Sequence, residues 1–308
     1  MSGAVVDAAA TDLAAADGRG PVAGPLRTAV DTIVANKGAL AGIAVIIFMA
    51  IFSFIGPLVY HTNQVTTNLP GSFRAPGAAH LLGTDGEGYD ELGRLMLGGQ
   101  TSLEIGVAAA VVATVIGVAY GAVSGFAGGI VDGLMMRVVD ALLAIPTLFL
   151  LVYLFTVYQA NVTMLILIIG LVAWLVPARL VRAETLSLRT REYVDAVRVM
   201  GGSRRRMILR HIIPNTVGTI TVNATFQVAD AILSLAGLSF LGLGIPAPSA
   251  NWGGMLSTGV NYVYAGYWWL IYPPGIAILL TVMAFNAVGD ALRDVFETRT
   301  QDAFVAVR

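Results

Sequence analysis

The chain has 308 residues, 56% of them hydrophobic and 12% charged, with a mean hydropathy of +0.78 and a formal net charge of −1. A soluble domain carries about 25% charged residues, so this chain lacks the charge that would cover a soluble globule of its size. Cysteine is absent and the three histidines (His61, His80, His211) are scattered. That excludes disulfides, thiolate metal sites and cysteine nucleophiles, and argues against a histidine metal centre.

Residues 1–38 are dominated by Ala, Gly, Pro and Asp without apolar periodicity, and read as a disordered tail on the cytoplasmic side. The tail is too long and too acidic for the start of a signal peptide, so no cleavage is expected. A helix crossing hydrocarbon needs about 20 apolar residues, because lipid offers its backbone no hydrogen-bond partners. Ala39 to Tyr60, uncharged throughout, supplies the first span. Residues 61–99 follow as an outer segment. The second span is the uncharged run Ile105 to Val131, whose Gly106, Gly117, Gly121 and Gly125 suit close helix packing. The 38 residues from Ala141 to Ala178 divide at Gln159-Ala160-Asn161 into a third and a fourth span. Thr216 to Gly242 and Trp269 to Val288 supply the fifth and sixth, and residues 295–308 a cytoplasmic tail.

With both termini inside, every Lys and Arg except Arg74 and Arg94 falls on the cytoplasmic side, as the positive-inside rule requires. The expected fold is an all-α polytopic membrane protein with six transmembrane helices and both termini cytoplasmic. Residues 39–60 form its first helix and residues 100–294 a five-helix core that contains the inner connection 186–212.

That connection is the most informative stretch. Glu192 to Gly201 reads as a short amphipathic helix, Gly201-Gly202 as a break that permits positive φ, and Ser203 as the cap of a second helix. Val194, Val197 and Gly201 share one face at helical spacing. In a chain without a soluble domain, such a face calls for a partner protein. A stretch this rich in arginine also serves as a topology anchor on anionic lipid.

The residue order adds to this. Asp195-Ala196-Val197, Gly201, Ile213 and Pro214 resemble the cytoplasmic signature of ABC-importer permease subunits, which reads Glu-Ala-Ala, three residues, Gly, nine residues, Ile, one residue, Leu-Pro. Asp195 replaces its Glu, Val197 its second Ala and His211 its Ile. Further segments resemble the C-type subunit of dipeptide, oligopeptide and nickel importers. These are Leu82-Gly83-Thr84-Asp85 with Gly88-Tyr89-Asp90 and Ser102-Leu103, then Arg137-Val138-Val139-Asp140 with Ile145-Pro146. Leu238-Ser239-Phe240-Leu241-Gly242-Leu243-Gly244 with Pro246, Pro248, Asn251-Trp252-Gly253 and Met255-Leu256 is the most distinctive block, and Asn286, Gly289-Asp290 and Leu292-Arg293-Asp294 close the resemblance. Tyr89 stands where that family has Arg.

The resemblance implies the type I ABC importer permease fold and a non-catalytic role. It implies a second permease subunit as heterodimer partner, two cytoplasmic ATPases that bind ATP and Mg, and an extracytoplasmic substrate-binding protein, all at the cytoplasmic membrane. No cofactor, metal or nucleic acid is expected on this chain, which lacks a phosphate-binding Gly-x-x-x-x-Gly-Lys-Ser/Thr loop. Glu192, Tyr193, Asp195, Ala196, Val197, Met200, Gly201, Ser203 and Arg204 would then meet an ATPase. Pathway or gate candidates are Asp230, an acid deep in the fifth span, with Ser239, Phe240, Asn251, Trp252 and Asn286. Glu104 reads as an interfacial charge at the outer start of the second span. The aromatic cluster Tyr262, Tyr264, Tyr267, Trp268 and Trp269 reads as an interfacial belt, or as part of a loop that docks the binding protein. Peptides are the expected cargo, and the same machinery suits nickel chelates, glutathione or haem. An ion-coupled transporter would favour several buried carboxylates and inverted repeats, and neither is evident.

Overall fold

The computed structural model describes residue 34 and residues 36–305 apart from 65, 159, 160 and 247, with side chains described up to residue 296. The expected disordered tail, except its last few residues, and the Gln159-Ala160 part of the predicted break lie outside the described residues, as do residues 306–308 of the C-terminal tail. Among the described residues there is no strand, only an isolated bridge between Thr84 and Asp90.

Helix α1 (Lys37–Phe54) starts at Asn36, whose Oδ1 accepts from Ala39 N at 3.1 Å, and continues after a bend as α2 (Gly56–Val59). Helix α3 (Glu91–Ala127) is capped by Asp90, whose Oδ1 accepts from Gly93 N at 2.9 Å. It ends at Gly128, where φ is +65°. Its 37 residues extend for about 55 Å at 1.5 Å per residue, well beyond a hydrocarbon core of about 30 Å. The helix thus begins before the predicted second span, inside the segment 61–99. Glu91 and Arg94 obscured this start, because charge in the first turns breaks an apolar run without breaking a helix. Glu104 accordingly sits more than three turns into the helix, exposed, and not at its start.

Helices α4 (Gly129–Leu143) and α5 (Thr147–Val157) meet at an 81° bend. Pro146, which lacks a backbone donor, marks the corner. The predicted third span is therefore a broken one. Asn161 caps α6 (Val162–Ala173) by accepting from Met164 N at 2.8 Å, so the predicted division near residue 160 is present. Helix α7 (Leu175–Leu188) follows at a 42° bend. Next come α8 (Glu192–Val199), α9 (Arg204–Met207), a wide π-helical turn over Ile208–Ile212, and α10 (Ile213–Asn215). The wide turn precedes Pro214, which cannot donate to the carbonyl of Arg210, so the ladder is re-spaced there. Helices α11 (Val217–Phe240), α12 (Trp252–Val260) and α13 (Tyr272–Val305) complete the chain. Among the described residues four helices are long and apolar enough to cross a membrane, and up to six spans result if each bent pair counts as one.

Helix α3 is the axis of the bundle, packed by α7, α11, α6 and α1, while α13 closes against α11 and α1. The close approaches use glycine. A Cβ on Gly121 would lie 2.4 Å from Ala178 O, on Gly117 2.7 Å from Pro177, and on Gly125 2.8 Å from Arg182 O. These three glycines recur every four residues and form one flat strip against α7, as small-residue packing in membranes requires. Gly106 does the same against Ile232 of α11. One apolar core joins Ile105, Leu151, Leu165, Ile169, Leu235 and Leu238, and another joins Met49, Leu95, Leu103, Ile232 and Trp252.

Candidate functional site

The two ends of α3 carry the polar chemistry. At its C-terminal end Arg182 of α7 makes a two-pronged contact with Asp132 of α4, Nε to Oδ1 at 2.7 Å and Nη2 to Oδ2 at 2.6 Å. Ser124 Oγ of α3 donates to the same carboxylate at 2.6 Å, and Arg189 Nη1 donates to Gly125 O at 3.0 Å. This knot fastens the arginine-rich connection to the bundle. Asp132 and Arg182 lie far apart in sequence, and no spacing rule pairs them. Nearby, Thr219 Oγ1 donates to Glu184 at 2.7 Å beside a cavity of about 840 Å³ that Asn215, Asn223, Phe226 and Arg293 also line.

Helix α8 follows three residues after Arg189 at the C-terminal end of α7. Gly201 has φ of +77°, the left-handed geometry that ends α8, and Ser203 Oγ accepts from Arg206 N at 3.3 Å to start α9. The predicted helix, break and cap are all present. The predicted apolar face is corrected. Val194 is fully buried within this chain, and half-buried Val197 is packed by Gly202, whose Cβ would lie 2.5 Å from its Cγ1. The apolar groups left open are Tyr193, Val199 at 88% exposure and Met200 at 77%. Glu192, Asp195, Ala196, Gly201, Ser203 and Arg204 are exposed beside them, and Asp195 pairs with Arg198 one turn on. An exposed pair of that kind contributes little to stability. Val199 was missed by sequence reasoning, since a lone valine at a helix end carries no periodic signal.

The N-terminal end of α3 is buried under residues 61–90. Asp90 accepts from Tyr60 Oη at 3.1 Å and from His80 Nδ1 at 2.8 Å. Asp85 accepts from Tyr89 N at 2.8 Å and Glu87 N at 3.1 Å, and faces Arg94 Nε at 3.5 Å. Burial nevertheless holds the Asp85 carboxyl above its ordinary value, outweighing those donors and the guanidinium. Arg94 lies over the ring of Tyr89, 4.8 Å from its centroid, so Tyr89 serves as a buried platform for that cation.

The aromatic cluster is not simply a belt. Tyr267 stacks on Phe73 with centroids 4.7 Å apart, Tyr262 packs tilted against it at 4.8 Å, and buried Trp269 donates Nε1–H to Thr84 O at 3.1 Å. They clamp residues 69–90, whereas Tyr264 is fully exposed and Trp268 half-exposed.

Of the pathway candidates, Trp252 is fully buried, donating Nε1–H to Leu95 O at 2.9 Å and its N–H to Ser102 Oγ at 3.2 Å. Asn251, also buried, caps α12 by accepting from Gly254 N at 2.8 Å. Ser239 is buried with an unpartnered Oγ, and it lines a cavity of about 300 Å³ together with Asn251. Phe240 is exposed and accepts from Ser257 Oγ at 2.9 Å through its carbonyl. Asp230 is exposed on α11 without a hydrogen bond among the described residues, and Asn286 is half-buried on α13. The structure thus joins Ser239 to Asn251 and leaves Asp230 and Asn286 apart from them. Among the described residues no group of three His, Cys, Asp or Glu can hold a metal ion.

Comparison with known proteins places this architecture. Residues 114–302 match the family model described as binding-protein-dependent transport system inner membrane component, and residues 24–76 match the N-terminal TM domain of oligopeptide transport permease C. The oligopeptide transport system permease protein OppC of Haemophilus influenzae is 40% identical over 266 residues, covering 86% of this chain and 85% of that protein. OppC of Escherichia coli is 39% identical over 86% of this chain and 88% of its own length, and the dipeptide transport system permease protein DppC of Bacillus subtilis is 37% identical over 86% and 82%. In three dimensions the chain is similar to the MetNI methionine ABC transporter, with a TM-score of 0.54 at 19% identity, over 66% of this chain and 96% of that one. The helical bundle, its apolar spans and these matches together establish that the chain belongs to the family of binding-protein-dependent transport system inner membrane components.

Proposed function

We propose that this chain is one permease subunit of an ATP-driven peptide importer, with six crossings, each bent pair counting as one, and both termini in the cytoplasm. It pairs with a second permease subunit, receives cargo from an extracytoplasmic binding protein, and rests on two cytoplasmic ATPases that hold ATP and Mg. The chain itself is non-catalytic and binds no cofactor. Residues 61–90 and the N-terminal end of α3 face outward, and the connection 186–212 faces the cytoplasm.

One observation carries the reading of the inner face. Tyr193, Val199 and Met200 form an open apolar tip on the helix that follows α7, which Asp132–Arg182 ties to α4. A tip of this kind transmits force only when a partner covers it, and family membership supplies the partner's class. Peptide cargo is supported by the names of the relatives, oligopeptide and dipeptide permeases at 37–40% identity. Asp230 is assigned to the face that meets the partner permease, and Ser239, Phe240, Asn251, Trp252 and Asn286 to the outer mouth and its supports. The test is purification of the chain from its native membrane, followed by reconstitution in vesicles with the binding protein. Co-purifying ATPases and ATP-dependent uptake of a labelled peptide are expected. Recovery without an ATPase overturns the reading.

A further inference from the structure

At the end of the bundle that carries the α8–α9 connection, the helices divide into two groups. In the first, α7 lies on the glycine strip of α3, and Arg182 ties it to Asp132 of α4. Arg189 then donates to Gly125 O in space that a glycine at position 128 leaves open, since a Cβ there would lie 2.3 Å from Arg189 Nη1. Past α9, the wide turn over Ile208–Ile212 also packs against α3. Met207 and Ile212 are five residues apart and both buried. An i→i+5 turn brings such a pair to one face, where an α-helix would set them roughly 140° apart. The α8–α9 connection is therefore held to α3 at both ends. In the second group, the first turns of α11 lock into α13. A Cβ on Gly218 would lie 2.6 Å from the ring of Phe296, and one on Gly289 2.8 Å from that of Phe226.

Between the groups lies the cavity of about 840 Å³, to which α7 contributes Leu180 and Glu184, α11 Val222 and Phe226, and α13 Arg293. From the wall formed by α11, Thr219 Oγ1 donates to Glu184 of α7 at 2.7 Å. Deeper in the bundle, Gln227 Nε2 donates to Ala173 O at 3.0 Å and Gly106 seats Ile232, so α11 is joined to α6 and α3 there. Along the chain the groups meet in residues 208–216. Pro214 has no N–H, the turn before it is widened, and Thr216 N divides its bond between Ile212 O and Ile213 O, both at 3.1 Å. Packed interiors move between discrete arrangements rather than deforming continuously. We propose that residues 208–216 are a hinge. The α8–α9 connection moves as one body with α3, α4 and α7, and the cavity narrows or widens as that body swings against α11 and α13. The Gln227–Ala173 contact is the pivot, and Thr219–Glu184 is the catch that holds the present arrangement. The hinge rests on the importer reading, which supplies its driver, nucleotide binding by the ATPases.

The chain has no cysteine, so introduced pairs take spin labels specifically in the full complex once its other subunits are made cysteine-free. Thr190→Cys, one residue beyond Arg189, is paired with Val123→Cys on α3 or with Thr221→Cys on α11, all three at exposed positions. Distances are measured by double electron–electron resonance without nucleotide and with a non-hydrolysable ATP analogue. The pair at 190 and 221 is expected to shift by about 5 Å, the size of a one-turn displacement, while the pair at 190 and 123 stays fixed. Thr219→Val keeps the shape of the side chain but removes the donor. It is expected to raise the nucleotide-free population at the shifted distance about ten-fold, the scale of one hydrogen bond to a charged group. Thr219→Ser is expected to restore the wild-type distribution. Equal shifts in both pairs, no shift in the pair at 190 and 221, or a distribution unaltered by Thr219→Val overturns the hinge. ATP-dependent uptake of labelled peptide by wild-type vesicles is read separately. Its absence overturns the importer reading, whereas normal uptake with any of those distance results overturns the hinge alone.

Discussion

Trp252 shows how a single residue of the distinctive Asn-Trp-Gly block acts. Its indole fills the contact between α12 and α3, and its N–H reaches a carbonyl 157 positions away in sequence. Trp252→Ala removes a fully buried aromatic and is expected to cost about 3–5 kcal/mol. Asn251→Ala removes only a helix cap and is expected to cost about 1 kcal/mol. Thermal unfolding of the purified complex should order the two variants that way. Asp85 adds a pH dependence. Its folded-state carboxyl lies above the ordinary aspartate value because of burial, so the folded protein takes up this proton more readily than the unfolded chain. Stability from this residue is then greatest at low pH and declines as pH rises through the raised value. Asp85→Asn is expected to flatten that decline above about pH 4, measured as protease resistance of residues 61–90 against pH.

At the scale of elements, the apolar runs and caps read from the sequence reappear as helices because hydrocarbon length and backbone satisfaction leave little choice. The fifth and sixth spans and the division near Asn161 needed no tertiary information. The broken third span did not show itself in composition, since α5 and the end of α4 are equally apolar and only Pro146 hints at the 81° corner. The early start of α3 was hidden for the opposite reason, that its first turns are charged and are buried by a loop. The glycine strip on α3 was legible, but the helix it meets was not. Gly121→Leu is expected to separate α3 from α7, because even a Cβ there would lie 2.4 Å from Ala178 O. A side chain forced into such a contact costs about 1–3 kcal/mol or more. The expected outcome is loss of monodisperse complex by size-exclusion chromatography, with Gly133→Leu, where nothing lies within 4 Å, retaining it.

For the whole molecule, the proposed importer function makes the connection around Gly201 the place where force would pass between bundle and ATPase. Gly201→Pro cannot adopt φ of +77°, because the proline ring holds φ near −65°. It is expected to leave the complex assembled and ATP hydrolysis present while peptide uptake falls at least about ten-fold, as loss of roughly 1.4 kcal/mol of coupling implies. Unchanged uptake per ATP would remove the lever from the mechanism. Length, apolar runs and the Asp195–Pro214 residue order were sufficient to determine membrane residence, helix count to within the bent pairs, and the helix, glycine break and cap around Gly201. These are properties of local composition and period. Which face of α8 stays open, the Asp132–Arg182 knot and the aromatic clamp on residues 69–90 were decided only by the tertiary structure. Each depends on contacts between residues far apart in the chain, and no local period encodes which distant side chain will arrive.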